Sequence, residues 1–184
     1  MRVIAGKLKG RRLDVCQGSE ARPTSDKARG ALFSILGNSI VDACVLDAFA
    51  GSGAVGIEAI SRQAAKVVFC DNDPQTLRSI AQVLTRFGVE ASVYQTFAGN
   101  FQHCLSQLAR EKRTFDFVFL DPPYDGGYNQ AALELCVPLL AADGLVALEH
   151  DITQDAPTVE GLRRVDQRKY GRSAMSFYRL GVSE

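Results

Sequence analysis

Four consecutive residues, Asp121-Pro122-Pro123-Tyr124, carry the most specific chemistry in the 184-residue chain. Each proline fixes its own φ and restricts the residue before it to extended geometry, so Asp121 and Pro122 are held stiffly. The Asp121 carboxylate and the Pro122 carbonyl can then each accept one N–H of a primary aromatic amine, which fixes the nitrogen and turns its lone pair toward an incoming methyl group. A carboxylate beside that nitrogen also stabilises the positive charge that develops during alkylation. Asp121 need not be a strong base, because the methylated cationic amine is itself very acidic. Tyr124 offers a flat face on which the ring bearing the amine can stack. The catalytic set expected from this motif is Asp121, Pro122, Pro123 and Tyr124.

A second segment, Asp47-Ala48-Phe49-Ala50-Gly51-Ser52-Gly53-Ala54-Val55-Gly56, closes one apolar run and opens a helical stretch. Its glycines permit a sharp turn and let a ligand press against main-chain N–H groups at a helix start. Gly51, Gly53 and Gly56 meet the G-x-G-x-x-G spacing of dinucleotide enzymes, a weak signal when alone. Asp71 ends the next apolar run, where its carboxylate can accept hydrogen bonds from both hydroxyls of a ribose. By itself Asp71 would read as a capping carboxylate beside Asn72 and Asp73; with the glycine turn it points to an adenosine-containing cofactor. NAD fits those two features, but Asp47 would repel a diphosphate and attract the ammonium group of a methionine moiety. NAD stays possible on these residues alone; the favoured cofactor is S-adenosylmethionine, leaving as S-adenosylhomocysteine. Its expected contacts are Asp47, Phe49, Ala50, Gly51, Ser52, Gly53, Asp71 and Asn72, with Phe97 and Ala98 after the third apolar run.

The elements that must position these residues alternate along the chain. Apolar runs at Cys44–Leu46, Val67–Cys70, Ser92–Tyr94, Phe117–Leu120 and Leu145–Leu148 have the length of buried strands. Segments of helical period lie between them, the clearest running from an Asp73 cap and Pro74 through Leu77, Ile80, Ala81 and Leu84 to a stop at Gly88. An earlier helix opens near Thr24 or Ser25, buries Ala28, Leu32, Ile35 and Leu36, and ends at Gly37. Leu162–Lys169 and Ala174–Leu180 flank Tyr170-Gly171-Arg172-Ser173 as a hairpin. The pattern predicts a Rossmann-like α/β fold: a mostly parallel twisted sheet, helices on both faces, and a C-terminal antiparallel hairpin at the sheet edge. Length and 46% hydrophobic content suit one domain over residues 1–184.

Net charge is zero, yet charge is segregated: residues 1–30 carry +5, residues 31–160 carry −9 and residues 161–184 carry +4. That pattern excludes a uniformly basic nucleic-acid binder and leaves two basic ends able to grip phosphates. Residues 1–23 read as a basic arm, and Lys7, Lys9, Arg11, Arg12, Arg22 and Arg172 as candidate RNA contacts. The five cysteines (Cys16, Cys44, Cys70, Cys104, Cys136) form no Cys-x-x-Cys pair or Cys/His cluster, so no metal site is expected and the thiols read as small buried residues of a reducing compartment. His103 and His150 are read as packed or surface histidines without a catalytic role. No membrane span or signal segment is apparent, which predicts a cytoplasmic protein.

Asp-Pro-Pro-Tyr with Asp47-Ala-Phe-Ala-Gly-Ser-Gly resembles the class I methyltransferases of amino groups. Further segments resemble one bacterial family, the 16S rRNA guanine-N2 methyltransferases known as small-subunit methyltransferase D. These are Arg2–Gly6, Gly10–Leu13, Arg22-Pro23-Thr24 with Asp26 and Arg29, Gly56–Arg62, Glu149-His150 and Lys169-Tyr170-Gly171, so the resemblance covers nearly the whole chain. It implies methylation of N2 of one guanine, at position 966, in 16S rRNA of the small ribosomal subunit or its assembly intermediate. It also implies RNA contacts by the arm and hairpin of a chain expected to be monomeric. The chain departs from the pattern at Gln95-Thr96-Phe97-Ala98, where many class I enzymes place an acid for the adenine amine, at Gly30 and at Gln63. The competing readings are a DNA adenine-N6 or cytosine-N4 methyltransferase, which usually carries a separate recognition domain, and a catalytically idle RNA-binding assembly factor.

Overall fold

Five strands, β1 (Cys44–Asp47), β2 (Lys66–Asp71), β3 (Tyr94–Ala98), β4 (Phe115–Leu120) and β5 (Leu140–Asp151), pair in parallel, as seen in a computed structural model describing residues 1–13, 26–123 and 127–181. Helices α1 (Asp26–Leu36), α2 (Ala54–Ser61), α3 (Pro74–Arg86), α4 (Phe101–Arg110) and α5 (Asn129–Cys136) precede, separate or follow these strands. A closing hairpin, β6 (Leu162–Tyr170) and β7 (Ser173–Leu180), adds two antiparallel strands and completes the order β3-β2-β1-β4-β5-β7-β6. Arg22, Tyr124, Cys16 and the expected helix start at Thr24 or Ser25 lie outside the described residues.

Strand residues alternate between two cores. Val45, Val67, Phe69, Phe117, Phe119 and Ala147 pack against α1, α2 and α3, whereas Leu46, Val68, Cys70, Val118, Leu120 and Val146 pack against α4 and α5. A sheet buried on both faces explains why its central strands are continuous apolar runs. α3 starts as its sequence predicts: the Asp73 carboxylate accepts the Gln75 and Thr76 N–H groups, and Gly88 leaves the helix at φ +73°. Among the described residues no helix is long and apolar enough to cross a membrane.

Two expectations need correction. Ser92 and Val93 sit in a short 3-10 turn, and the third strand begins only at Tyr94; as an edge strand with no residue fully buried, it lacks the apolar signature that marks its neighbours. Ile35 is 41% exposed. The buried stripe of α1 instead runs through Ala28, Arg29, Leu32, Phe33 and Leu36. An apolar-only reading of that helix skips Arg29 and so rotates the stripe.

The amino-terminal residues also fold more tightly than a free arm. Val3 N–H reaches the Arg11 carbonyl at 3.0 Å, Gly10 N–H reaches the Val3 carbonyl at 2.9 Å, and Val3, Leu8 and Leu13 enter the core. Glu58, buried on α2, clasps this loop: its carboxylate accepts Ile4 N–H at 2.7 Å and Ala5 N–H at 3.0 Å. The same carboxylate accepts Arg62 Nε at 2.8 Å and faces Arg29 Nε at 3.9 Å. Two cations and two main-chain donors compensate a charge that would otherwise be costly to bury.

Candidate active site

In parallel α/β sheets ligands bind beyond the carboxyl ends of the strands, where the strand order reverses. Here that point lies between β1 and β4, and three of the expected residues meet there. Asp47 ends β1, facing Phe69 of β2 and Phe119 of β4 in the two ladders. Asp71 and Asp121 therefore each stand two residues beyond Asp47, on the strands either side of it. With neighbouring strands about 4.8 Å apart, their backbones are separated by ~10 Å. The turn after β1 fills the gap and is stitched to both sides, through Ala48 N–H to the Phe119 carbonyl at 3.1 Å and Ala50 N–H to the Cys70 carbonyl at 2.8 Å.

The three motif glycines are required for three different reasons. Gly51 takes φ +49° with open space above it, since a Cβ there would meet nothing nearer than the Phe49 carbonyl oxygen at 4.0 Å. Gly53 combines φ +70° with a Cβ position only 2.9 Å from Ile80, and a Cβ on Gly56 would lie 2.2 Å from the Phe69 ring. Their N–H groups are all engaged within the protein: Gly51 donates to Asp71 Oδ2 at 2.8 Å, Gly56 to Asp47 Oδ2 at 3.0 Å and Gly53 to the Ala50 carbonyl at 2.7 Å. The expectation that these glycines offer free donors to a ligand is thus replaced by one of shape, an open shelf above Gly51.

Asp71 accepts a second N–H, from Asp73 at 2.9 Å on Oδ1, which leaves one further lone-pair direction on each oxygen for a pair of ribose hydroxyls. Asp47 is 1% exposed, and burial pushes its carboxyl up to about 7 despite the Gly56 N–H. No cationic side chain is paired with it among the described residues, and a buried carboxylate in that position suits a cationic ligand group. The end of β3 is tied into the same edge by Gly99 N–H to the Asp71 carbonyl at 3.0 Å; Phe97 is half-buried and Ala98 and Asn72 are exposed. Asp121 is half-buried, Pro122 buried and Pro123 exposed.

The chain matches the family model described as Conserved hypothetical protein 95 over residues 1–179. It is also 35% identical over 165 residues to ribosomal RNA small subunit methyltransferase D of Escherichia coli (strain K12), covering 86% of this chain and 79% of that protein. The chain belongs to this family. A Bacillus subtilis (strain 168) protein named as a candidate rRNA methyltransferase is 33% identical over 182 residues, covering 97% of this chain and 98% of its own. A solved Escherichia coli chain described as a candidate methyltransferase superposes with a TM-score of 0.86 at 32% identity, covering 100% of this chain and 99% of that one.

As a member of this rRNA methyltransferase family, the protein distributes its basic candidates over two opposite ends. Arg172 lies in the β6–β7 turn beside Asp151, the last residue of β5, at the same edge as Asp121; its carbonyl accepts Ile152 N–H at 3.1 Å. Lys7, Lys9, Arg11 and Arg12 lie instead near the far ends of α2 and α3. Lys7 N–H reaches the Ser61 carbonyl at 2.8 Å, and Arg11 donates to the Phe87 carbonyl at 2.9 Å while its guanidinium covers the Phe87 ring at 5.1 Å. Sequence reasoning missed an aromatic group at the site. Phe101 packs against Phe49 of the glycine turn at 5.2 Å, tilted by 40°, and forms a T-shaped contact with Tyr128 at 5.4 Å. In the sequence, aromatic residues are dense only around the second motif, at Phe115, Phe117, Phe119, Tyr124 and Tyr128; nothing local marks Phe101 as their companion.

Proposed function

We propose that this protein transfers a methyl group from S-adenosylmethionine to the exocyclic N2 amine of a guanine in 16S rRNA, at position 966, in the small ribosomal subunit or its assembly intermediate. The reading is carried by one observation: Asp71 and Asp121 flank the glycine turn at the tips of the two strands that neighbour β1. When bound, S-adenosylmethionine supplies an electrophilic methyl group on a sulfonium. Asp71 accepts the ribose hydroxyls, and Asp47 compensates the ammonium group. Phe97, Ala98 and Asn72 border the adenine, with main chain standing in for the acid missing after β3. Asp121 and the Pro122 carbonyl accept the two N–H groups of the amine, Pro123 keeps them rigid, and Tyr124 stacks on the base. Pre-set acceptors of this kind lower the barrier by orientation and by stabilising developing positive charge. Arg172 and the arm residues Lys7, Lys9, Arg11, Arg12 and Arg22 contact phosphates. An RNA that reaches both groups lies across the α2/α3 face as well as the strand tips.

The test mixes protein and radiolabelled cofactor with small subunits, naked 16S rRNA or DNA from cells lacking the modification. Label appears in rRNA or subunits and is lost in Asp121→Ala, which keeps its circular dichroism and melting temperature. Transfer to DNA alone refutes the RNA substrate. Tight RNA binding without any transfer identifies a catalytically idle assembly factor instead.

A further inference from the structure

We infer that Tyr128 is a stacking surface for the target base, additional to the Asp-Pro-Pro-Tyr motif; this rests on the function proposed above. Of the large apolar and aromatic side chains exposed among the described residues, namely Ile35, Val41, Tyr128, Val165 and Leu180, Tyr128 alone is aromatic, at 39% exposure. Its ring is held. It meets Phe101 in a T-shaped contact at 5.4 Å and 62°, and Phe101, only 7% exposed, packs in turn against Phe49 at 5.2 Å. The backbone at Tyr128 is fixed too, since its carbonyl accepts Ala132 N–H at 2.9 Å to open α5. The next residue, Asn129, bonds the Gln154 side chain beyond β5 at 3.2 Å.

The two ends of this three-ring ladder belong to different halves of the site. Phe49 sits in the glycine turn that Asp71 grips, the half that receives the cofactor. Tyr128 follows Asp121 by seven positions and is tied to the β5 side, the half that receives the amine. A held aromatic ring that stays 39% exposed binds an unstacked base with little ordering cost, whatever the base. The nucleobase of the RNA, and not the adenine of the cofactor, is therefore its partner.

The chain has no tryptophan, so Tyr128→Trp introduces a single tryptophan whose emission is excited apart from that of the remaining tyrosines. Its emission is quenched when 16S rRNA lacking the modification is added in the presence of S-adenosylhomocysteine, and is unchanged by S-adenosylhomocysteine alone. In steady state, Tyr128→Leu keeps an apolar contact with Phe101 but raises KM for RNA roughly 10- to 100-fold, the size of one base–aromatic stack. The affinity of that variant for S-adenosylhomocysteine is unchanged, and Tyr128→Phe restores the wild-type KM. Quenching by S-adenosylhomocysteine alone, or a wild-type KM in Tyr128→Leu, overturns the inference. If the wild-type protein methylates no RNA, the proposed function fails, and the tryptophan titration still reports whether a base reaches the ring.

Discussion

Replacing Asp47 by asparagine removes a carboxyl group that burial lifts from 3.8 to about 7. Between those values the folded chain holds a proton that the unfolded chain has released. Its stability therefore falls as pH rises, by about 1.4 kcal/mol per pH unit, and levels off above 7. Across the whole window the loss approaches about 4 kcal/mol, an order-of-magnitude figure on the same linkage. Asparagine has a similar shape, can still accept the Gly56 N–H, and does not titrate. Asp47→Asn should therefore match the wild type near pH 4 and exceed it by a few kcal/mol at pH 8, as urea unfolding at the two pH values will show. Cofactor binding has the opposite sign. A ligand ammonium favours the ionised carboxylate, so calorimetry with S-adenosylhomocysteine should show wild-type affinity rising up to tenfold per unit from pH 5.5 toward 7, and a weak, flat response in the variant. A stability difference between variant and wild type that is the same at pH 4 and pH 8 would refute the argument.

Gly56→Ala should lower stability by about 3 kcal/mol, because the added methyl lands on the fully buried Phe69 ring at 2.2 Å; an unchanged melting temperature would show that the helix can move away. Replacing Lys7, Lys9, Arg11 and Arg12 by alanine should flatten the salt dependence of RNA binding by about 0.7 to 0.9 in log–log slope for each phosphate that these side chains no longer neutralise, with cofactor affinity unchanged. Within that set Arg11→Ala alone should also lower the melting temperature, because it abandons Phe87.

The parallel strands, the capped α3 and the terminal hairpin were legible because apolar runs, a proline after an aspartate and a glycine turn are local signals. The three aspartates at the strand tips were legible for the same reason, each closing an apolar run. What escaped was set by distant partners. Arg29 is fully buried because, besides Asp26 of its own helix, it meets the Arg2 carbonyl and faces Glu58 of α2, and α1 alone predicts neither of the last two. The glycine N–H groups read as free donors, because their acceptors, Asp47 and Asp71, are visible as neighbours only once the strands pair. Tyr128 was overlooked since its companions, Phe49 and Phe101, are far away in the chain.

The clasp formed by Glu58 has an evolutionary corollary. It holds positions 4 and 5 through their amide hydrogens, and every amino acid but proline supplies one. Mutational drift at these two sites should be limited by packing against Gly30 and the neighbouring helix rather than by the clasp, which is indifferent to what the side chains are. Proline is the exception: it would delete a donor outright and leave a buried carboxylate oxygen short of a partner, so selection should purge it from both positions even where every other change survives.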